Sequence, residues 1–287
     1  MYKLIISCLI VCFFGQDAVA QRKTKLNTHS QGTMFGSFGY NRSIYSGSDA
    51  DFSSTNYNYQ LSDISFTDHP NGLPLSNYFN SGGGETTQFN ATIGYYVAHK
   101  WAVTLGIDRL NVFMNYTNDS RLSGTFAPGA HSALEGTYEN EPVNFDTEQI
   151  NYFQSDGVNF ISAGLVRSSQ LYKANKARVE ILANLGVNFG FLFAQSNYTF
   201  DSFTTQRIGG LSGVGFSGNL NVRFVFFQHV FIQPQLTGGV LNHSNTALSE
   251  DNNTTVSHTN GYLSPELRIG FSFFVRPTDG CGTCPQW

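Results

Sequence analysis

Long stretches of strict alternation run through this chain. From Val179 to Phe193, the apolar residues are Val179, Ile181, Ala183, Leu185, Val187, Phe189, Phe191 and Phe193; Glu180, Asn184, Gly186, Asn188 and Gly190 fall between them. A period of two places the two sets on opposite faces of a strand. Soluble strands are typically about 5–6 residues long, and this run is more than twice that. A tilted strand crosses a bilayer in about 9–11 residues. The segment reads as membrane-spanning, with ends that project beyond the bilayer.

The pattern recurs. Val214, Phe216, Leu220, Val222, Phe224 and Phe226 oppose Ser217, Asn219, Asn221 and Arg223. Leu263, Leu267, Ile269, Phe271, Phe273 and Val275 oppose Ser264, Glu266, Arg268, Gly270 and Ser272, and Phe89 to Val97 repeats the motif around Asn90, Thr92 and Gly94. A soluble barrel also alternates, but a narrow interior cannot take a large side chain at nearly every inward position. Lipid sets no such limit, so the apolar face points outward and the polar, glycine-rich face fills the lumen.

Short and long connections alternate as well. His99-Lys100, the segment 172–178 and Gln228-His229 are short; 46–87, 117–149, 194–212 and 242–260 are long and polar. Barrels of this class have short periplasmic turns and long extracellular loops. The expectation is an all-β, antiparallel up-and-down transmembrane barrel over residues 31–275. Eight strands are placed at 31–45, 88–98, 101–116, 152–171, 179–193, 213–227, 230–241 and 261–275. Tyr57 to Phe66 is placed as a hairpin in the first extracellular loop; if it spans instead, the count becomes ten. A change of apolar parity between Val103-Leu105-Ile107 and Leu110-Val112-Met114 predicts a bulge near Asp108-Arg109. Pro234 and Pro265, inside proposed strands, predict further bulges near a rim. Tyr95, Tyr96, Trp101, Tyr172, Phe226, Phe227, Phe231, Phe273 and Phe274 are expected to form a periplasmic aromatic belt. Phe113, Tyr116, Phe189, Phe191 and Phe193 are expected to form the opposite one.

The start of the chain adds a destination. Met1-Tyr2-Lys3 precedes an apolar run from Leu4 to Phe14, and Ala18-Val19-Ala20 supplies small residues for cleavage. Residues 1–20 read as a secretory signal peptide, too short for a spanning helix. Residues 21–30 and 276–287 then form periplasmic tails. An exported chain with amphipathic strands and no membrane helix belongs in an outer membrane, with membrane lipid and the barrel-assembly machinery as its implied partners. Only 13% of the 287 residues are charged while 15% are aromatic, a balance that suits a lipid-facing wall. The net charge of −4 argues against a nucleic-acid partner.

Candidate chemistry is sparse. Cys281-Gly282-Thr283-Cys284 has no helix to lower a thiol pKa, no second ligand pair for zinc and no histidine for haem attachment. In an oxidising periplasm a local disulfide is the simplest outcome. Inward Glu180, Arg223, Glu266 and Arg268 are expected to form a plug of ion pairs, with Glu180 near Arg223 and Glu266 beside Arg268. His29, His131, His243 and His258 are placed on solvated surface. Gly82-Gly83-Gly84 reads as loop. No catalytic triad, metal cluster or nucleotide fingerprint is legible, so no catalytic, cofactor-binding or metal-ligating residues and no cofactor are assigned, and a non-enzymatic role is expected.

Phe38-Gly39-Tyr40-Asn41-Arg42-Ser43, Ile93-Gly94-Tyr95-Tyr96, Phe226 to Phe231 and the ending Arg276 to Trp287 resemble a group of outer-membrane β-barrel proteins of the Bacteroidetes and flavobacteria. The resemblance extends over nearly the whole mature chain and implies an envelope barrel without catalytic residues. Some members of that group carry an α-ketoglutarate decarboxylase label. The residues here do not support it, because such an enzyme needs a Gly-Asp-Gly cofactor motif and a far larger α/β fold. The expected roles are envelope structure or surface binding through the loops, then small-solute transport, then, least, an outer-membrane hydrolase.

Overall fold

The computed structural model describes residues 28–68, 88–144, 148–174, 178–201 and 203–275. The segment expected to be a signal peptide, Gly82-Gly83-Gly84 and the Cys281–Cys284 pair lie outside the described residues. Within them the chain forms β1 (Thr33–Asn41), β2 (Ile44–Tyr45), β3 (Ser48–Ser53), β4 (Tyr57–Thr67), β5 (Asn90–Ala98), β6 (Trp101–Asn115) and β7 (Arg121–Phe126). There follow β8 (Gly136–Pro142), β9 (Ile150–Lys173), β10 (Val179–Phe200), β11 (Phe203–Phe226), β12 (Val230–Ala247) and β13 (Thr255–Phe274).

The transmembrane ring has eight strands in the order β1-β5-β6-β9-β10-β11-β12-β13. It closes where β1 pairs antiparallel with β13, from Thr33↔Phe274 to Asn41↔Glu266. Closure leaves no edge, which hydrocarbon requires because it offers backbone groups no partner. Above the membrane the ring continues with substitutes. β3 replaces β1 on β13 (Ala50↔His258), and β4 replaces β5 beside β6 (Phe66↔Met114). Tyr57–Thr67 is thus half of a β3–β4 hairpin, and the membrane-spanning count is eight. A β7–β8 hairpin extends β4 at the outermost end (Tyr57↔Phe126).

The long polar segments are therefore mostly strand. β10 and β11 meet at Phe200↔Phe203, with no long loop between them, and β12 and β13 run on to Ala247↔Thr255. Polarity misleads there because the faces exchange roles. On β10, Leu185, Val187, Phe189, Phe191 and Phe193 are exposed on the outside; the outward positions then become Gln195, Asn197 and Thr199. Inward positions change in the opposite sense at the same level, from Asn184, Gly186 and Gly190 to Leu192, Ala194, Tyr198 and Phe200. Below that level the outside is lipid; above it the outside is water, and apolar groups move inside to escape it.

This inversion also corrects the expected bulge near Asp108-Arg109. The β5–β6 ladder runs unshifted through Asn90↔Asp108, and even-numbered residues of β6 face inward along its whole length. Only the residue chemistry switches, from inward Thr104, Gly106 and Asp108 to inward Leu110, Val112 and Met114. The real irregularity lies on β9, where the ladder to β6 shifts opposite Leu110/Val112 and Gly157 takes φ +78°. The two prolines make no bulge either. Pro265 falls in the gap between the β1 and β2 pairings to β13, its carbonyl accepting from Arg42 N, and Pro234 in the gap of the β11–β12 ladder between Asn221↔Gln235 and Phe224↔Ile232. The missing N–H costs nothing where no ladder bond is made.

The aromatic belts are corrected in part. Trp101, Tyr172, Phe227 and Phe273 are exposed on the wall, as are Phe189, Phe191 and Phe193 higher up. Tyr96 and Phe231 are fully buried in the lumen instead. Their neighbours Tyr95 and Ile232 hold the outward places, and period two then sends the rings inward.

The inversion sets a sharp boundary between Phe193 and Gln195. Leu185→Arg is expected to lower the unfolding free energy in lipid vesicles by about 2–4 kcal/mol, and Gln195→Arg by no more than about 1 kcal/mol. Denaturant titration of the two variants checks the boundary.

Candidate functional site: the three storeys of the lumen

At the periplasmic end, Phe35, Tyr96 and Phe231 close the mouth together with Leu182 and Val225. Arg223 is held between two of these rings, its Cζ 4.3 Å from the centre of Phe35 and 4.2 Å from that of Phe231. A desolvated cation between two aromatic faces is stabilised by about 2 kcal/mol or more. Two glycines make the room. A Cβ on Gly94 would lie 2.2 Å from the Phe35 ring, and one on Gly270 would lie 2.2 Å from that of Phe231.

Glu180 does not pair with Arg223. In the β10–β11 register Arg223 lies opposite Leu182, and Glu180 lies opposite Val225 at the very rim. There Thr28 Oγ1 donates to Glu180 at 2.6 Å, while His29 Nδ1 and Lys173 Nζ stand 3.5 and 3.8 Å from its other oxygen. Thr28 and His29 are both 2% exposed, so this end of the expected N-terminal tail caps the mouth and His29 is not a surface residue. Among the described residues no carboxylate comes within ion-pair distance of Arg223. Its Nε donates instead to Gln233 Oε1 at 2.7 Å.

That bond begins the middle storey. Gln233 donates to Gln235 (2.8 Å), Gln235 to Glu266 (3.2 Å), and Glu266 pairs with Arg268 at 2.6 Å. Arg268 reaches on to Asp108 at 3.2 Å and to Thr92 Oγ1 at 2.6 Å, and Asn90 donates to Glu266 at 3.0 Å. One continuous chain thus links three of the four charges expected in the lumen, and Asp108 completes it. Asp108 is an even, inward position on β6, a place that parity alone predicts once no bulge interrupts the strand. The glutamines carried no sequence signal beyond parity. The space left within this network is a cavity of about 30 Å³, room for one or two waters.

The third storey lies above the lipid belt and is apolar. Phe52 stacks between Tyr59 and Tyr198, at ring distances of 4.9 and 5.6 Å, and the two tyrosine hydroxyls share a 2.9 Å hydrogen bond. Leu61, Ile64, Val158, Phe160, Leu192, Leu241 and Val256 fill the rest. His243 and His258 stack at 4.3 Å on the floor of this core, and both are buried; His131, also buried, meets Phe200 edge-on. Three more histidines expected on the surface are therefore core residues, because the polar segments that carry them turn their inner faces into an aromatic interior.

Ser212 Oγ stands 2.5 Å from His243 Nδ1 and 2.6 Å from Thr246 Oγ1. This brings a serine and a histidine together. Both are enclosed, at 0% and 1% exposure, and His243 turns to His258 where a triad would place a carboxylate.

Several solved outer-membrane proteins are similar in shape. The crystal structure of OprG from Pseudomonas aeruginosa matches at 12% identity over 85% of this chain and 97% of that one, with a TM-score of 0.39. The NMR structure of AlkL in lipid bilayers matches at 10% identity over 92% of this chain and 100% of that one, also at 0.39. Ail from Yersinia pestis matches at 10% identity over 85% and 99%, at 0.32. No protein-family model and no curated protein sequence matches the chain.

Two tests follow from the storeys. Arg268→Met leaves Glu266 and Asp108 facing each other without a cation and is expected to cost about 3–5 kcal/mol. Adding Glu266→Gln should recover part of that loss, and a double-mutant cycle in vesicles measures it. The second test concerns acid. Burial, aided by the neighbouring His258, holds His243 well below the ordinary histidine value, and burial pushes His258 down to about 4 against a slight upward pull from Asn260. The unfolded chain takes up protons near pH 6.5 that the folded one refuses until about pH 4. Stability is then full above pH 6.5 and falls as pH drops towards 4. Protease sensitivity of the upper barrel should rise across that window, and His258→Phe should make the profile shallower without flattening it, because buried His243 still resists protonation.

Proposed function

We propose that this protein is a non-enzymatic barrel of the outer membrane, exported through a cleaved signal peptide and placed by the barrel-assembly machinery. Its lumen serves as structure, and its work is done by the outer third of the barrel, in envelope organisation or surface binding. The observation that carries this reading is the filling of the interior at every level. An arginine between aromatic rings stops the periplasmic mouth, a hydrogen-bonded charge network occupies the centre, and an aromatic core seals the top. A solute path would have to break all three. The strands that rise beyond the lipid belt, with the β3–β4 and β7–β8 hairpins, give the surface a rigid platform, the usual setting for binding residues.

The reading is tested on purified full-length protein in planar bilayers. Steady ion conductance is expected to be absent in the wild type. Stable channels in the wild type would overturn the closed-lumen reading and put transport in its place.

A further inference from the structure

Near the periplasmic end, the outer wall carries a cation that faces lipid. Arg167 of β9 is exposed on the outward face, in register with Trp101 of β6 on one side and Leu185 of β10 on the other. Above it the outward positions are apolar: Leu165, Ala163 and Ile161 on β9, and Val103 and Leu105 on β6. Trp101 is the first residue of β6, directly after the β5–β6 turn, so Arg167 stands at the lower margin of the apolar wall. Its Cζ lies 5.7 Å from the centre of the Trp101 ring. An indole face attracts a guanidinium, and a tryptophan on a barrel wall is itself anchored at the headgroup level.

A second cation is fixed beside it. Lys100 takes φ +67° in the β5–β6 turn, and its backbone is pinned on both sides: Lys100 N donates to His29 O (2.9 Å), and Lys100 O accepts from Ser168 N (2.8 Å). Lys100 is thus bonded to the residue that follows Arg167, and it is exposed. Neither cation has a counter-charge in the protein. Among the described residues no carboxylate lies within ion-pair distance of Arg167 or Lys100. Glu180, the acid of this rim, is turned into the mouth and engaged by Thr28, His29 and Lys173, while Asp108 and Glu266 lie in the lumen. The charge has to be balanced from outside, and outside at this level lies the phosphate layer of the periplasmic leaflet.

We infer that Arg167, Lys100 and Trp101 form a binding site for an anionic phospholipid of the periplasmic leaflet. A guanidinium presents parallel N–H donors to two phosphate oxygens, and an ammonium adds a compact point charge. The Trp101 face orients the guanidinium before the lipid arrives, which reduces the ordering that binding requires. Exposed Val103, Leu165 and Leu185 continue the site upward as apolar wall for the acyl chains. A zwitterionic headgroup carries its own cation and leaves the two protein charges uncompensated. A soluble anion would meet the charges but make no use of the apolar wall. The site is independent of the outer hairpins and of whether the lumen is closed.

Trp101 reports from the site itself. The chain has two tryptophans, so Trp287→Phe in the full-length protein leaves Trp101 as the only source of indole fluorescence. This protein is placed in phosphatidylcholine vesicles that contain a minor fraction of brominated phosphatidylglycerol, or the same fraction of brominated phosphatidylcholine or phosphatidylethanolamine. Bromine quenches the indole on contact, so the loss of fluorescence reads which lipid occupies the site. Brominated phosphatidylglycerol is expected to quench as though enriched at Trp101 by at least about threefold over its bulk fraction, and the two zwitterionic lipids to quench as their bulk fractions dictate. Arg167→Gln and Lys100→Gln should each lower the preference and together remove it, with heat-modifiable mobility kept as the sign of an intact fold. Equal quenching by all three lipids, a preference for phosphatidylethanolamine as strong as that for phosphatidylglycerol, or a preference that persists in the folded double variant would each overturn the assignment.

Discussion

Every backbone N–H and C=O that enters hydrocarbon has to find its partner within the protein. In this chain that demand is met by one event, the pairing of β1 with β13, which turns an open sheet into a ring. The rest of the structure is arranged around that closure. It fixes eight strands, and eight strands enclose an interior just wide enough to be filled by side chains. A narrow ring then decides what each inward position can hold. Gly94 and Gly270 are small because Phe35 and Phe231 are large, and the two rings shelter between them an arginine that has no carboxylate partner among the described residues.

The lumen shows two ways of keeping a cation away from water. Arg268 is neutralised by Glu266 and Asp108, a compact ion triad whose remaining donors reach Thr92. Arg223 has aromatic faces and a glutamine instead. The first is costly to break because it leaves charges of one sign together. The second depends on shape, so it tolerates little change in the volume of its neighbours. Between them, Gln233 and Gln235 act as a relay of dipoles that joins the two solutions.

How much of this could be read from the sequence depends on how many conditions a position has to meet. A lipid-facing residue meets one, and Leu185, Phe216 and Ile269 announce it by apolarity and period. The strand number and the short turns were legible for the same reason. Side-chain partners in the lumen were not, since they depend on the stagger of the closed ring. Arg268 meets Asp108 across 160 positions of sequence, and Glu180 finds Thr28 across 152. His243 and His258 were misplaced for a third reason. Polarity signals surface only when the solvent outside is known, and these residues lie just past the level at which lipid gives way to water. The same change of solvent made the switch at Asp108 look like a break in register when the strand ran straight through.

The exchange of inner and outer chemistry along a single strand fixes the height at which the barrel sits. Phe200 and Tyr198 end in a dry core, while Gln195 and Asn197 face out on the same segment of β10, directly above Phe191 and Phe193. Sinking the barrel by about two residues would carry Gln195 and Asn197 into lipid, and lifting it by as much would strip Phe191 and Phe193 of theirs. The finished barrel is therefore held against sliding in both directions by the strand that crosses the boundary.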